Sequence, residues 1–180
     1  YQVANGSCSD SDTIHIQVDQ FIAAGILAAG PFCEDVASVG LTALNGGGVW
    51  SGTGITDAVN GLFSPSLAGP GTHVISYTII NGACSSTGTR NIVVSSDVSA
   101  AINPAGPYCQ NQSPVTLTAA SSGGTWSGPG ITNATTGTFN PAVAGPGNHT
   151  VSYAVSNGAC SDMQSTIIHV DEFPVISLSS

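Results

Sequence analysis

Hydrophobic and polar side chains alternate along much of the chain with a period of two residues. Ile75, Tyr77 and Ile79 fall on one face of such a segment, and the residues between them fall on the other. Alternation of this kind is typical of β-strands with one buried face. No segment has apolar residues at the i, i+3, i+4, i+7 spacing of an amphipathic helix. The other sets predicted to point inward are Val39, Leu41 and Ala43; Val115, Leu117 and Ala119; Val151, Tyr153 and Val155; Thr166, Ile168 and Val170; and Ile14, Ile16 and Val18.

The chain also repeats itself with a period of about 76 residues, and self-similarity at a fixed period is the signature of a tandem array. The segment GGGVWSGTGIT at 46–56 matches SGGTWSGPGIT at 122–132, with no insertion or deletion between the copies. We therefore expect complete modules at 21–96 and 97–172, the last strands of an earlier module at 1–20, and the start of a later module at 173–180. The residues that recur at this repeat period are Cys33, Trp50, Pro65, His73, Tyr77 and Cys84, which match Cys109, Trp126, Pro141, His149, Tyr153 and Cys160.

Each module is predicted to be a two-sheet sandwich. Several short strands, joined by turns rich in Gly, Pro and Asn, have to bury their apolar faces against a second sheet. The 23 glycines and 10 prolines of the chain agree with such turns. Trp50 and Trp126, with Tyr77 and Tyr153, are expected to be core residues, because aromatic side chains dominate sandwich cores. The alternative is that each tryptophan is a stacking platform for a sugar.

Composition narrows the range of partners. Arg90 is the only strongly basic residue against ten carboxylates, and the net charge is −9. Such a surface does not neutralise phosphates, so nucleic acid and anionic membranes are disfavoured. The most apolar run, 21–32, is too short to span a bilayer, which needs about 20 residues. No nucleophile elbow or pair of carboxylates suited to a cleft is present, so we expect no enzyme activity.

Five cysteines at regular positions indicate an oxidising, extracytoplasmic compartment. We predict the bonds Cys33–Cys84 and Cys109–Cys160, because each module then folds alone, with Cys8 bonded to an upstream partner. Closing a loop of that span stabilises the fold by roughly 4 kcal/mol in the loop-entropy account. The alternative pairs Cys8 with Cys33 and Cys84 with Cys109, which links neighbouring modules. No spacing typical of a zinc site occurs.

Taken together, the motifs resemble a known type of repeat. They run from YCQNQSPVTLTA (108–119) through GGTWSGPGIT (123–132) and FNPAVAGPGNHTVSYAV (139–155) to NGACSD (157–162). This pattern is similar to the immunoglobulin-like, PKD-like tandem repeats of giant Bacteroidota cell-surface adhesins, including gliding-motility adhesins exported by the type IX secretion system. The resemblance implies an all-β array of immunoglobulin-like sandwiches on the bacterial cell surface. It also implies a mechanical or adhesive role, and it supplies no ligand site.

The resemblance and the repeat together favour a structural stalk or filament segment whose partners are neighbouring repeats of the same chain. Surface or glycan ligands would then bind elsewhere in the protein. The alternatives are modules that bind glycans or surfaces weakly by avidity, or spacers of a secreted hydrolase.

No cofactor is required by this interpretation, and calcium is the most credible one. Exposed acids at the predicted joints, namely Asp19, Asp97, Asp171 and Glu172, could supply oxygen ligands, although their positions do not repeat cleanly. Solvated surface acids are the competing interpretation. Thr13, which follows Asp12, matches a short acceptor pattern for O-glycans in the same phylum.

Overall fold

A computed structural model describes residues 1–175 of the chain. The last part of the predicted later module, 176–180, lies outside the described residues. The described part is almost entirely β-structure, which confirms the predicted all-β class, and it contains only two helices of four residues each. An N-terminal hairpin consists of β1 (Gln2–Asn5) and β2 (Cys8–Ser11).

The rest of the described chain contains two copies of one strand pattern, which we call module 1 and module 2. The elements of module 1 are β3 (Phe32–Cys33), β4 (Val39–Gly40), β5 (Val49–Ser51), β6 (Ile55–Asp57), β7 (Leu62–Phe63), α1 (Pro65–Ala68), β8 (Gly71–Asn81) and β9 (Cys84–Ser95). Those of module 2 are β10 (Tyr108–Cys109), β11 (Val115–Thr116), β12 (Thr125–Ser127), β13 (Ile131–Asn133), β14 (Thr138–Phe139), α2 (Pro141–Ala144), β15 (Gly147–Asn157) and β16 (Cys160–Asp171). Each element of module 2 begins one repeat period after its counterpart in module 1.

Each module contains one four-stranded and one three-stranded sheet. In module 1 the strand orders are β3-β9-β8-β5 and β4-β7-β6, and module 2 has the equivalent orders. All pairs are antiparallel except β3 with β9 and β10 with β16, which are parallel. The long hairpin β8–β9 spans the whole module, because its strands have 11 and 12 residues. At about 3.3 Å per residue, the hairpin is roughly 36 Å long.

The core of each module lies between the two sheets. In module 1, Ile75, Tyr77 and Ile79 of β8 are buried, as their alternation requires. Phe63 of the smaller sheet is completely buried opposite them, and Trp50 packs on Tyr77 with ring centroids 4.5 Å apart. Trp126 and Tyr153 make the same contact in module 2, also at 4.5 Å.

One predicted strand is wrong. Ile14, Ile16 and Val18 are predicted to point inward, but they are 81 to 87% exposed and belong to no strand. Their counterparts in the complete modules, such as Ile92 and Ile168, are completely buried. Ile92 and Ile168 are covered by the first strand of the long hairpin and by the phenylalanine of the smaller sheet, Phe63 or Phe139. The segment 1–20 contains only the end of the corresponding hairpin strand and no residue equivalent to the phenylalanine. Periodicity indicates which face is apolar, whereas burial also requires the partner surface.

Candidate functional site at the module joint

The joint between the modules brings together the distal end of module 1 and the hairpin turn of module 2. Strand β9 ends at Ser95, and the parallel strand β3 places Cys33 directly beside it. The turn between β15 and β16 approaches the same point, so that Asn157, Ala159 and Cys160 all contact residues at the end of β9. The candidate functional site of this chain is therefore a contact between neighbouring modules.

A disulfide bond crosses this joint. Cys33 of module 1 is bonded to Cys160 of module 2, with a Cα–Cα distance of 4.8 Å and a sequence separation of 127 residues. That Cα–Cα distance lies in the usual range for disulfides. Both cysteines are buried, with 6% and 2% of their surface exposed. Attack by an external thiol requires access to a sulfur atom, so burial protects this bond from reduction.

The predicted pairs Cys33–Cys84 and Cys109–Cys160 are wrong. Cys33 lies beside Ser95 at the last residue of β9, whereas Cys84 is the first residue of that strand. The two cysteines are therefore about 36 Å apart at opposite ends of the module, and disulfides need Cα atoms within about 7 Å. The same geometry separates Cys109 from Cys160 in module 2.

The alternative pairing is wrong as well. Cys8, Cys84 and Cys109 form no disulfide within the described part of the chain. Cys84 lies at the hairpin end of module 1 and Cys109 lies at the distal end of module 2, so two module lengths separate them. That alternative did place the bond between neighbouring modules, but with different partners.

Three further contacts hold the joint. The amide of Asn157 donates to the carbonyl oxygen of Ser96 at 3.5 Å. The backbone N–H of Ala159 donates to the hydroxyl of Ser95 at 3.2 Å, and the Cys160 sulfur lies 3.4 Å from the Ser95 carbonyl oxygen. The hairpin turn is thus fixed on backbone and side-chain atoms at the end of β9.

The same three contacts recur one repeat period earlier, where the hairpin turn of module 1 meets the segment before it. Asn81 donates to the carbonyl oxygen of Gln20 at 2.8 Å, and the N–H of Ala83 donates to the carboxylate of Asp19 at 2.8 Å. The Cys84 sulfur lies 3.5 Å from the Asp19 carbonyl oxygen. The joint is therefore a repeated structural feature with interchangeable acceptors, a carboxylate in one copy and a hydroxyl in the other.

The shape of the turn explains why the motif Asn-Gly-Ala-Cys precedes each joint. Gly158 has a φ of 60° and Gly82 has a φ of 59°, at the first central position of two-residue hairpin turns. A type II′ turn needs glycine there. A methyl group on Gly158 would also collide with the hydroxyl of Ser95. Glycine therefore serves both the turn and the close approach of the two modules.

The acids predicted as calcium ligands lie at separate places. Asp19 contacts the hairpin turn of module 1, Asp97 lies at the joint between the modules, and Asp171 ends β16 at the distal end of module 2. Glu172 follows Asp171 and is exposed. The hydrogen bond from the Ala83 N–H, followed by that from Gln17, lowers the pKa of Asp19 below its ordinary value.

A carboxylate oxygen of Asp97 lies within 4.8 Å of the sulfur atoms of Cys33 and Cys160, and this is the one metal-type cluster among residues 1–175. Both sulfurs are consumed by the disulfide, and thiolates rather than disulfides bind metals. This cluster is therefore a disulfide with a neighbouring carboxyl group. Calcium binding stays a prediction that rests on one or two acids at each of three separate places.

The aromatic residues that repeat have structural surroundings. Trp50 and Trp126 are each 4% exposed, so neither offers a ring face for stacking on a sugar. The hydroxyl of Tyr153 donates to the Ser121 carbonyl oxygen and accepts from the Gly124 N–H, both at 2.8 Å. Tyr77 makes the equivalent bonds in module 1. Each tyrosine thus fixes the loop that precedes the tryptophan strand.

The remaining candidates lie on the surface. Thr13 is exposed, and its backbone N–H donates to the carboxylate of Asp12 at 2.9 Å. His73 and His149 each bond a carbonyl oxygen four residues earlier, at 2.8 and 2.7 Å, next to the short helices. None of these residues contacts the joint.

Sequence reasoning named Asp19 only as a candidate calcium ligand, and it missed that the carboxylate of Asp19 and the hydroxyl of Ser95 accept hydrogen bonds from the hairpin turns. Ser95 is the last residue of β9, whereas Asp19 lies in a segment without regular secondary structure, and a polar residue at either position carries no signal of its own. The informative signal was the Asn-Gly-Ala-Cys turn, which places the second cysteine of each module at a hairpin end. The parallel pairing that brings Cys33 to the opposite end has no local signature.

Comparisons with known proteins give little further information. The chain matches no protein-family model and no curated protein. Among solved structures, a crystal structure of human protocadherin-24 EC1-2 is similar with 12% sequence identity and a TM-score of 0.35, covering 86% of this chain and 100% of that chain. A second crystal form has 12% identity and a TM-score of 0.32, with coverage of 85% and 100%. The strand pairing described above, and not these similarities, defines the fold. Within the described residues, no helix is long and apolar enough to cross a bilayer.

Proposed function

We propose that this chain is a structural stalk or filament segment of a large secreted or cell-surface adhesin, which extends from the cell and presents a binding region located elsewhere. The observation that carries the proposal is the joint, whose three contacts recur in both copies of the repeat and which is crossed by a buried disulfide. A protein that only needed flexible spacing between modules would gain nothing from such a fixed joint.

The location we propose is extracellular, at a bacterial cell surface. Disulfides persist in oxidising compartments and are rare in the cytosol. The bond between Cys33 and Cys160 therefore supports export of the chain. The resemblance of the motifs to Bacteroidota adhesin repeats supports the bacterial surface in particular, and the neighbouring repeats are the partners that the joint implies.

We also propose that the modules are not catalysts. A histidine and a carboxylate lie close together at the end of β16, where His169 Nε2 is 3.2 Å from a carboxylate oxygen of Asp171, and both side chains are about half exposed. Catalytic acids and bases instead lie in clefts where burial and neighbouring charges tune their pKa values. A module that is repeated to build length has no need of an active site in each copy.

One observation favours the second candidate function, weak binding by avidity. A shallow groove recurs beside the tryptophan of each module, lined in module 1 by the loop 46–48 together with Thr42 and Asn60. Its counterpart in module 2 is lined by Thr118, Ser122 and Thr136 among others. Hydroxyl and amide groups of this kind can bond a sugar, although the buried tryptophan cannot stack on it.

The two functions differ in one direct measurement. The purified chain would be immobilised at high density and tested on an array of glycans and on abiotic surfaces. The stalk proposal expects no binding above that of an unrelated all-β protein. Binding that is lost when Thr42 and Thr118 are replaced by bulky residues would overturn it in favour of avidity. Small-angle scattering should give the same maximum dimension at low and high protein concentration, as expected for a monomeric segment.

A further inference from the structure

We infer that every joint of a longer array is closed by the same disulfide, so that the first cysteine of each module bonds to the second cysteine of the module that follows. This inference deepens the proposed stalk function and rests on it. In this chain the rule is realised by Cys33 and Cys160. It assigns Cys84 to the first cysteine of the module before module 1, and Cys109 to the second cysteine of the module after module 2.

The surroundings of Cys84 match those of Cys160. Each cysteine begins the second strand of a long hairpin, and each sulfur lies against a carbonyl oxygen of the preceding segment, at 3.5 Å from Asp19 and 3.4 Å from Ser95. The neighbouring contacts of Ala83 and Ala159 correspond as well. The thiol of Cys84 is thus already seated at a joint, on the side where the earlier module has its first cysteine.

The surroundings of Cys109 match those of Cys33. Cys109 is paired with Asp171 across the parallel strands β10 and β16, as Cys33 is paired with Ser95 across the parallel strands β3 and β9. The next residue after each cysteine bonds the carbonyl oxygen of that partner, at 2.9 Å for the Gln110 N–H and 3.0 Å for the Glu34 N–H. Cys33 is buried and Cys109 is only half-buried, because a following hairpin covers Cys33 alone. A further module would cover Cys109 in the same way.

The chemistry is ordinary disulfide formation. A thiolate of one cysteine attacks the disulfide of an oxidised dithiol carrier in the compartment and forms a mixed disulfide. The second cysteine then attacks that bond, and the carrier leaves as a dithiol with the two electrons and two protons. The folded joint holds both thiols together, so the exchange yields this pair in preference to others.

The consequence is an array that hardly lengthens under load. A pulling force would follow the disulfide from the first cysteine of one module to the second cysteine of the next module, and then the chain up to the first cysteine of the module after that. This path covers two modules and contains one chain segment equivalent to Cys84–Cys109, which has about 25 residues and is roughly 90 Å long when fully extended. Two folded modules already span about 70 Å. Without the bonds, two unfolded modules would extend to roughly 530 Å. The disulfides thus reduce the maximum extension about six-fold.

The inference can be tested by lengthening the chain. A copy of residues 105–172 placed after Ser180 completes a third module in the correct frame. Peptide mapping under non-reducing conditions should then show Cys33–Cys160 together with a bond from Cys109 to the copied counterpart of Cys160. In the 180-residue chain, Cys109 should instead react with a thiol reagent. The matched control replaces the copied counterpart of Cys160 by serine, and Cys109 should then react with the thiol reagent again.

A second variant probes the other side, in case the added module fails to fold. A copy of residues 21–76 placed before Tyr1 completes the earlier module, and its copied first cysteine should bond to Cys84. Free Cys84 and Cys109 in both folded, lengthened chains, or bonds between other pairs, would overturn the inference. Pulling a lengthened chain by its ends should give a maximum extension that rises about two- to three-fold after reduction. The glycan measurement is independent of these results, so the stalk proposal and the disulfide inference can fail separately.

Discussion

Removing the disulfide at the joint should destabilise both modules together. In the double variant Cys33→Ser/Cys160→Ser, the covalent loop of 127 residues no longer restricts the unfolded chain. In the loop-entropy account a loop of this length contributes about 5 kcal/mol to the free energy of unfolding. For a protein of this size, that loss corresponds to a fall in melting temperature of roughly 10 to 20 °C. The double substitution avoids leaving a single reactive thiol at the joint.

The matched control is Cys84→Ser/Cys109→Ser. It replaces cysteines at the equivalent positions of the repeat, but neither of them forms a disulfide within residues 1–175. We expect this control to change the free energy of unfolding by less than about 1 kcal/mol, as is usual for sites away from the core and from crosslinks. The difference between the two double variants therefore isolates the crosslink from the loss of sulfur atoms.

The assay is urea unfolding of the 180-residue chain, followed by tryptophan fluorescence, with and without a strong reductant. Trp50 and Trp126 report on module 1 and module 2 respectively, and both are buried. The original chain should lose its extra stability on reduction, whereas the Cys33→Ser/Cys160→Ser variant should not respond. Equal midpoints for the two double variants, or a reductant effect that persists without Cys33 and Cys160, would refute the assignment of the bond.

Three further predictions concern single contacts. The pKa of Asp19 is lowered, so its hydrogen bond to the Ala83 N–H is present above the ordinary pKa of 3.8 and is lost as the pH falls through the lower pKa of the folded state. In NMR spectra the Ala83 amide resonance should shift over that pH range. The Ala159 amide resonance should not, because Ala159 donates to the hydroxyl of Ser95. Replacing Tyr153 by Phe leaves a buried N–H and a carbonyl without their partner, and should cost about 1–3 kcal/mol in urea unfolding; an unchanged midpoint would contradict the role of the hydroxyl. Gly158→Ala should destabilise the joint, in part because the new methyl group collides with the Ser95 hydroxyl. The loss of stability should therefore be smaller when Ser95 is also replaced by Ala. Full additivity of the two substitutions in a double-mutant cycle would argue against that contact.

The faces that the long strands of each module bury follow from the sequence alone, whereas the short strands β3, β6 and β7 were not predicted. Ile75, Tyr77 and Ile79 alternate with polar residues, and a strand can bury only one parity of side chains, so the pattern was sufficient. The repeat period was likewise visible in the sequence, because identical local requirements select similar residues in each copy. Alternation alone failed for Ile16, which has the same position in the pattern as the buried Ile92 and Ile168 but is exposed. Residues 1–20 do not include the surface that covers those counterparts.

The choice of bonded cysteines depends instead on the folded arrangement of the strands. The repeat shows that Cys33 and Cys84 occupy regular positions in the sequence, but it does not say which end of a strand lies beside which. The parallel pairing of β3 with β9 brings Cys33 to the end of the module opposite Cys84, and the hairpin of module 2 then supplies Cys160. A bond between residues so far apart in the chain depends on strand direction and on how two modules meet. Neither is encoded in any short stretch of sequence, because both arise from surfaces that form only after folding.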